Sequence, residues 1–523
     1  NIMKKTIALL LCLLSVSTAF FTACNDSDNT SSAADDKSTA SSAASESSSD
    51  VSEETSGGWV DGIVGYLGEG NWGREMPEFK WDRDTFTVMV YNNTRQDTYF
   101  SEEIEPNLYD TTDAIISDAV GLRNDIIRER YGVEIKAMLV DDVYTTLSQQ
   151  VQAGGDDIAD AAMPFLNACS TMAQAGQLYD LREFEDGGYI DLSMPWWEQN
   201  AIDSLSVANK VYFAIGDMSI MQKIVSSAIM FNKDMLALKY PELNLYQEVK
   251  DKKWTLDRLV SISKEYTYES DNEDGMTWLD TWGYGGTYGN VISFYSAAGE
   301  KLITKDSNDI PTLAVGTTEK SVKILQNILT LLEEKDTWIL HAEDMGDDKW
   351  NKCVKIFGEG RNLFRSTAFS AIKKVRVYDV NFGLIPYPLV DENQDEYYTP
   401  CSAKYAYGAV IPLSAPDPEF SAFMLDVMSA VSKGENASGL TRAYIEVVIK
   451  GKDLKADEEA CEILDEYVFN NIIYDLGLLY GGADAVLTGL VSSKSIDVIS
   501  ALDASRDSIQ SKIDEVVALY ESN

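Results

Sequence analysis

Phe86-Thr87-Val88-Met89-Val90-Tyr91 is a β-rich run fenced by Asp82 and Asp84 on one side and Asn92 and Asn93 on the other. The chain after it changes period. From Ala114 to Tyr131 the apolar residues Ile115, Ala119, Leu122, Ile126 and Ile127 recur at helical spacing. Val133–Leu139 reads as a second strand, Val143–Val151 as a second helix and Ile158–Met163 as a third, short strand. Strands that alternate with helices imply an α/β body with a mostly parallel sheet covered on both faces. In such sheets ligands sit beyond the carboxyl ends of the strands. That rule singles out Tyr91, Asn92, Met163, Pro164 and Phe165.

The same style continues downstream. Val211–Ile215, Ser226–Phe231, Phe382–Ile385 and Tyr407–Pro412 read as strands. Leu256–Tyr266 reads as a helix capped by Thr255, and Val322–Leu332 as a strongly amphipathic one. The last hundred or so residues are mostly helical, most clearly Ala422–Val431, Glu458–Asn470 and Ile509–Tyr520.

The opening residues read as a targeting segment. Met3 is the expected start, Lys4 and Lys5 form a basic n-region, and Ile7–Phe21 is an apolar run too short and too interrupted to span a membrane. Phe21-Thr22-Ala23-Cys24 resembles a bacterial lipobox, with Phe21 where leucine is usual, so residues 1–24 are expected to be a lipoprotein signal with Cys24 the acylated residue. An ordinary cleaved signal peptide is the alternative. Residues 25–78 are rich in Ser, Asp and Glu, and the first part, 25–58, contains a single large aliphatic, Val51. Such a stretch cannot bury enough apolar surface to offset the entropy of ordering, so it is expected to be a flexible tether.

Composition excludes some partners. The chain carries 85 acidic against 43 basic residues, a net charge of −42. Nucleic acid and anionic lipid both require a basic face and are not expected as partners. Cys169, Cys353, Cys401 and Cys461 are far apart and show no zinc-ligand spacing; their pairing is left open. Asn272, Asp274 and Gly275 look like part of a calcium loop, but that alignment puts Ser270 first and Thr281 twelfth, where acidic ligands belong. No metal and no cofactor are expected. The single histidine, His341, removes Ser-His-Asp and H-E-x-x-H chemistry, and it reads as a surface residue beside Glu343 and Asp344.

Five passages in order then resemble one family. Asp157-Ile158-Ala159-Asp160 with Gly176-Gln177-Leu178-Tyr179-Asp180-Leu181 is the first, and Asp191-Leu192-Ser193-Met194-Pro195-Trp196-Trp197 the second. The third is Lys210–Asp217 with Met230-Phe231-Asn232-Lys233-Asp234-Met235-Leu236; Phe357–Phe364 and Phe382–Pro388 complete the set. Together they are similar to the family 1 extracellular solute-binding proteins, the class that includes maltose-binding protein, in the lipoprotein form of Gram-positive gut bacteria. The likeness runs from about Phe86 to Tyr480.

The resemblance implies a two-lobed periplasmic-binding-protein-like fold (type II) with a hinge, lobe one being 79–220 plus 363–413 and lobe two 221–362 plus 414–523. It implies a monomer, anchored by lipid on the outer face of the cell membrane, that closes on a sugar and delivers it to the permease of an ABC importer. No catalysis is implied. A sugar needs aromatic rings for its C–H faces and planar polar groups for its hydroxyls. The expected ligand-binding residues are Tyr91, Asn92, Phe165 and Asp217, with Trp282, Tyr284, Tyr288 and Asn290 from a glycine-rich aromatic stretch in which Tyr288 and Asn290 are favoured and Trp282 and Tyr284 are partly in the core, then Arg365, Phe369 and Tyr405. Trp196 and Trp197 are expected to be structural. A secreted glycoside hydrolase, for which 85 acidic residues offer many carboxylate pairs, and a binder of peptides or other solutes are the rival readings.

Overall fold

The computed structural model describes residues 81–94, 98–154, 159–270, 275–334, 337–433, 439–455 and 457–522. The signal segment with Cys24, the tether, Asp157-Ile158 and most of the calcium-like stretch after Ser270 lie outside the described residues. Twelve strands are described, in chain order β1 Thr85–Tyr91, β2 Glu134–Val140, β3 Ala161–Ala162, β4 Ser227–Asn232, β5 Trp282–Gly286, β6 Ile303–Lys305, β7 Pro311–Leu313, β8 Ile339–His341, β9 Asn362–Ala368, β10 Phe382–Ile385, β11 Thr399–Pro400 and β12 Ile472–Ile473.

The first sheet is parallel, ordered β2-β1-β3, with Thr85 opposite Glu134 and Val88 opposite Ala161. Its central strand buries Phe86, Val88, Met89 and Val90 completely, as an apolar run covered on both faces must. The helix Ala114–Tyr131 begins at Asp113, whose side chain accepts from the Ile115 amide, and ends at Gly132 in the left-handed region (φ 71°). The helix Val143–Ala153 is capped in the same way by Asp142. The helix Pro418–Lys433 packs against Ala114–Tyr131 and is buried along nearly its whole length. Both Trp196 and Trp197 donate from Nε1 to its Asp426, at 2.7 and 2.8 Å, and all three side chains are buried. The double tryptophan is thus a fixture of the core.

Two expected strands are absent as ladders. Val211–Ile215 bonds in turn to Leu181, through the Val211 carbonyl, and to Ala409, so its partners change within a few residues. Tyr407–Pro412 runs beside the first sheet by isolated bridges only: Phe165 to Tyr407, Ala162 to Val410, Ala214 to Ala409 and Leu178 to Pro412. It shares its bonds among three neighbouring segments, and Pro412 has no amide to donate.

The second sheet has the order β10-β4-β9-β5-β8 and is mixed: β10, β4 and β9 are antiparallel neighbours, while β9, β5 and β8 run parallel. This corrects the expected division of the chain. β9 and β10 were assigned with the first sheet, but hydrogen bonding places both in the second. The helix Pro418–Lys433, expected with the second half, belongs to the first. The helices Leu256–Glu265, capped by Thr255 through the Arg258 amide, and Glu319–Glu333 flank this half. Glu458–Ile463 is helical as expected, but Leu464–Val468 continues it as a wider π-turn. Among the described residues no helix is long and apolar enough to cross a membrane.

Candidate functional site

The carboxyl ends of β1, β2 and β3 meet at one pocket of about 350 Å³, lined by Tyr91, Asp141, Asp142, Tyr144, Phe165 and Asn167 among others. Tyr91 closes β1 and Phe165 follows β3. Their rings stack at 4.2 Å and 17°, and the Phe165 amide points at the Tyr91 hydroxyl (3.4 Å). Tyr407 lies near-parallel to Tyr91 (5.8 Å, 20°) and also touches Phe165 (5.5 Å, 32°), so the three rings form one cluster. Tyr405 meets Phe165 edge-on (5.5 Å, 87°) and is itself stacked on Tyr99 (4.1 Å, 11°). Five rings from four segments therefore form one continuous aromatic wall. Tyr407 is locked there by its hydroxyl, which donates to the Tyr99 carbonyl (3.1 Å), and burial pushes its phenol well above the usual range.

Polar groups edge this wall. Asn92 donates from Nδ2 to Asp141 Oδ1 (2.7 Å), which also takes the Thr94 hydroxyl (2.5 Å). A ring face beside fixed carboxylate oxygens can stack an apolar face and accept hydroxyl protons together. Tyr91, Asn92, Phe165 and Tyr405 are thus brought together as expected. Asp141, Asp142, Tyr144 and Tyr99 were missed. The first two were within reach of the strand-end rule, because β2 runs on to Val140.

The carboxyl ends of β5, β8 and β9 carry the other expected group. Tyr288 donates its amide to Glu343 Oε2 (3.1 Å) and its hydroxyl to Asp344 Oδ1 (2.7 Å), with its ring against His341 at 5.0 Å. His341 is fully buried at the end of β8, where a surface residue was expected. The acidic neighbours that made it look exposed belong to the next turn. Asn290 is buried and accepts the Thr287 amide (2.6 Å), holding the turn that opens the helix Asn290–Ala297. Trp282 and Tyr284 are core residues, not cleft residues. Trp282 sends Nε1 to the Thr277 carbonyl (2.7 Å), and Tyr284 packs on Trp338 and Phe294.

The remaining candidates lie elsewhere. Asp217 accepts from Lys433 (3.1 Å) and Thr441 (2.9 Å) in a separate pocket of about 440 Å³ beside Trp196 and Trp197, away from the ring wall. Phe369 is buried against Phe469 (4.8 Å). The next residue, Ser370, donates to the Tyr99 hydroxyl (3.3 Å), tying the segment after β9 to the ring wall. Arg365 is buried on β9.

Two ion pairs join the same neighbourhoods. Lys373 pairs with Glu102 (2.9 Å) and Arg376 grips Asp453 with two bonds (2.6 and 3.0 Å). Lys373 and Arg376 follow β9 of the second sheet. Glu102 lies in the loop after β1, and Asp453 ends a helix, Ala443–Asp453, that packs on Ala114–Tyr131 of the first. The four described cysteines are free thiols, and burial raises the pKa of each. Among the described residues no group of three or more His, Cys, Asp or Glu is arranged to hold a metal ion.

No protein-family model and no curated protein sequence matches the chain. Solved structures do. The ABC substrate-binding protein Lmo0181 from Listeria monocytogenes, in complex with cycloalternan, superposes with a TM-score of 0.50 at 12% identity, over 82% of this chain and 99% of that one. A cyclo/maltodextrin-binding protein complexed with maltotetraose gives 0.51 at 11% identity, over 85% and 98%. The chain has the two-lobed α/β fold of these proteins.

Proposed function

We propose that this protein is a solute-binding protein that captures an oligosaccharide outside the cell and passes it to the permease of an ABC importer by hinge closure. The observation that carries the reading is the aromatic wall at the carboxyl ends of β1–β3, where part-exposed Phe165, Tyr405 and Tyr99 are backed by the buried Tyr91 and Tyr407, with Asp141 beside it: stacking surfaces and hydroxyl acceptors in one place are what a sugar requires. Structures of the same fold, named for bound cycloalternan and maltotetraose, support it. The ion pairs and the Ser370–Tyr99 bond that join the two halves are suited to holding a closed form. The lipobox-like Phe21-Thr22-Ala23-Cys24 supports a lipid anchor on the outer face of the membrane, and the protein acts as a monomer without catalysis.

The test is thermal unfolding of the full chain against neutral and acidic mono- and oligosaccharides. A ligand that binds only the native state at a hundred times its Kd adds about 2.7 kcal/mol. The expected result is a raised midpoint with one saccharide class and recovery of that saccharide intact. A cleaved saccharide would replace the reading by a glycoside hydrolase, and no shift with any saccharide would remove sugars as the cargo.

A further inference from the structure

Arg365 is out of balance with its surroundings. It stands in the middle of β9, opposite Met230 on β4 and Gly285 on β5, and is only 8% exposed. Its Nη1 is buried with no hydrogen-bond partner, and among the described residues the side chain enters no ion pair. Arg123, also buried, shows how this fold treats a guanidinium kept for structure. Its Nη2 donates to the carbonyls of Glu103 (2.7 Å) and Ile104 (3.0 Å), its Nε to Asn124 Oδ1 (3.0 Å), and its Nη1 approaches Met218 O and Ser432 Oγ.

The chain has twice as many acidic as basic residues, so a carboxylate partner for Arg365 would be easy to supply. Among the described residues none is present: the titratable groups that act on it are the Cys353 thiol and the Tyr99 phenol. An unpaired buried cation costs several kcal/mol, and a partner brought in from outside offsets that cost. The strand that carries Arg365 leads to the aromatic wall: just after β9, Ser370 donates to the Tyr99 hydroxyl (3.3 Å), and the Tyr99 ring is part of that wall.

We infer that Arg365 is the seat for a negatively charged group on the ligand, so that the captured saccharide is acidic and bears a uronate carboxylate or a sulfate ester. This rests on the saccharide reading above. The polarity of the site agrees with it. Asp141 and Asp142 edge the first-sheet pocket and repel an anion there, which directs the charged end of the ligand toward the second sheet and Arg365.

The experiment is calorimetric titration of the full chain with maltotetraose, a galacturonate oligosaccharide and a sulfated tetrasaccharide, for the native protein and for Arg365→Gln and Arg365→Lys. The native protein is expected to bind one acidic ligand at least about tenfold tighter than the neutral one, since a bidentate charge-assisted pair is worth that much. Which acidic arm responds identifies carboxylate or sulfate. In Arg365→Gln the preference collapses while the unfolding midpoint without ligand stays level or rises. In Arg365→Lys part of the preference survives, which also serves if the glutamine variant does not fold. A native protein that binds maltotetraose as well as either acid overturns the inference and leaves the saccharide reading standing, as does a glutamine variant that keeps the preference or loses several degrees of midpoint. If no saccharide of either charge binds, the saccharide reading falls and takes the inference with it.

Discussion

Replacing Arg376 by methionine removes the charge that faces Asp453 across the two halves while keeping most of the apolar stem. Asp453 is 1% exposed at its side chain and Arg376 36%, and the pair is bidentate. Exposed pairs contribute about 0.2–1 kcal/mol, and breaking a fully buried pair costs about 3–5 kcal/mol. With one partner buried and the other a third exposed, a loss of about 2 kcal/mol is expected. Because the pair joins the halves, that loss falls on the closed form, and a change of about 2 kcal/mol in closure lowers saccharide affinity about 30-fold. The pH dependence follows from the groups. Burial raises the Asp453 pKa and the guanidinium opposes the rise, so without Arg376 the pKa climbs further. A carboxyl raised in the folded state keeps its proton there more readily than in the unfolded chain, so it costs stability as pH rises through the folded value. The penalty of Arg376→Met is therefore largest above neutral pH and shrinks in acid. Urea unfolding of Arg376→Met, Asp453→Leu and the double variant at pH 5 and pH 8 measures the coupling. A coupling below about 0.5 kcal/mol at both pH values would refute the reasoning.

Three further outcomes are expected. Phe165→Ala removes a ring that stacks on Tyr91 and meets Tyr405; with one ligand-stacking face lost at about 0.5–1.5 kcal/mol, saccharide affinity falls about 2- to 13-fold by calorimetry, and Phe165→Leu falls less. Asp426→Leu leaves two buried indole N–H groups without their acceptor, which at about 1–3 kcal/mol each lowers the urea-unfolding free energy by about 2–6 kcal/mol, whereas Asp426→Asn keeps an acceptor and costs less. Asp475 is buried and its pKa is raised to about 6 by desolvation, which outweighs the amides of Leu302, Gly477 and Ile303 that bond it. Its folded pKa lies above the unfolded one, so it makes the protein less stable as pH rises from about 4 to 6. That part of the pH profile should be shallower in Asp475→Asn.

The parts of the fold that local sequence specifies were legible. Ala114–Tyr131 carries its own signals, a capping Asp113 and a closing Gly132, and the helix has the bounds its periodicity predicts. Pairing across long separations was not legible. Phe382–Ile385 is a strand on any local criterion, yet its place in the second sheet is set by Ile229 and Met230, some 150 residues away, and nothing in the run itself names that partner. Tyr407–Pro412 has strand composition but bridges three segments in turn, an arrangement that composition does not encode.

The site divides in the same way. The position of Tyr91 and Phe165 beyond the strand ends, on one pocket, was legible because it follows from backbone geometry and needs no knowledge of packing. Trp282 and Tyr284, expected to be partly in the core, are wholly buried there, for a physical reason that the glycines around them explain. Glycine next to an aromatic reads as backbone left open for a ligand. A Cβ at Gly283 would come within 2.0 Å of the Ser263 carbonyl oxygen, and one at Gly286 within 2.4 Å of Asn290 Oδ1. The room those glycines leave is taken by the helix Leu256–Glu265 and by the turn at Asn290, and the rings between them are walled in by protein. A glycine-rich aromatic stretch therefore marks close approach without naming what approaches. Here it is the protein's own helix and turn, and the rings of the candidate site come instead from Phe165 and Tyr405, which the sequence also singles out, and from Tyr99, which it does not.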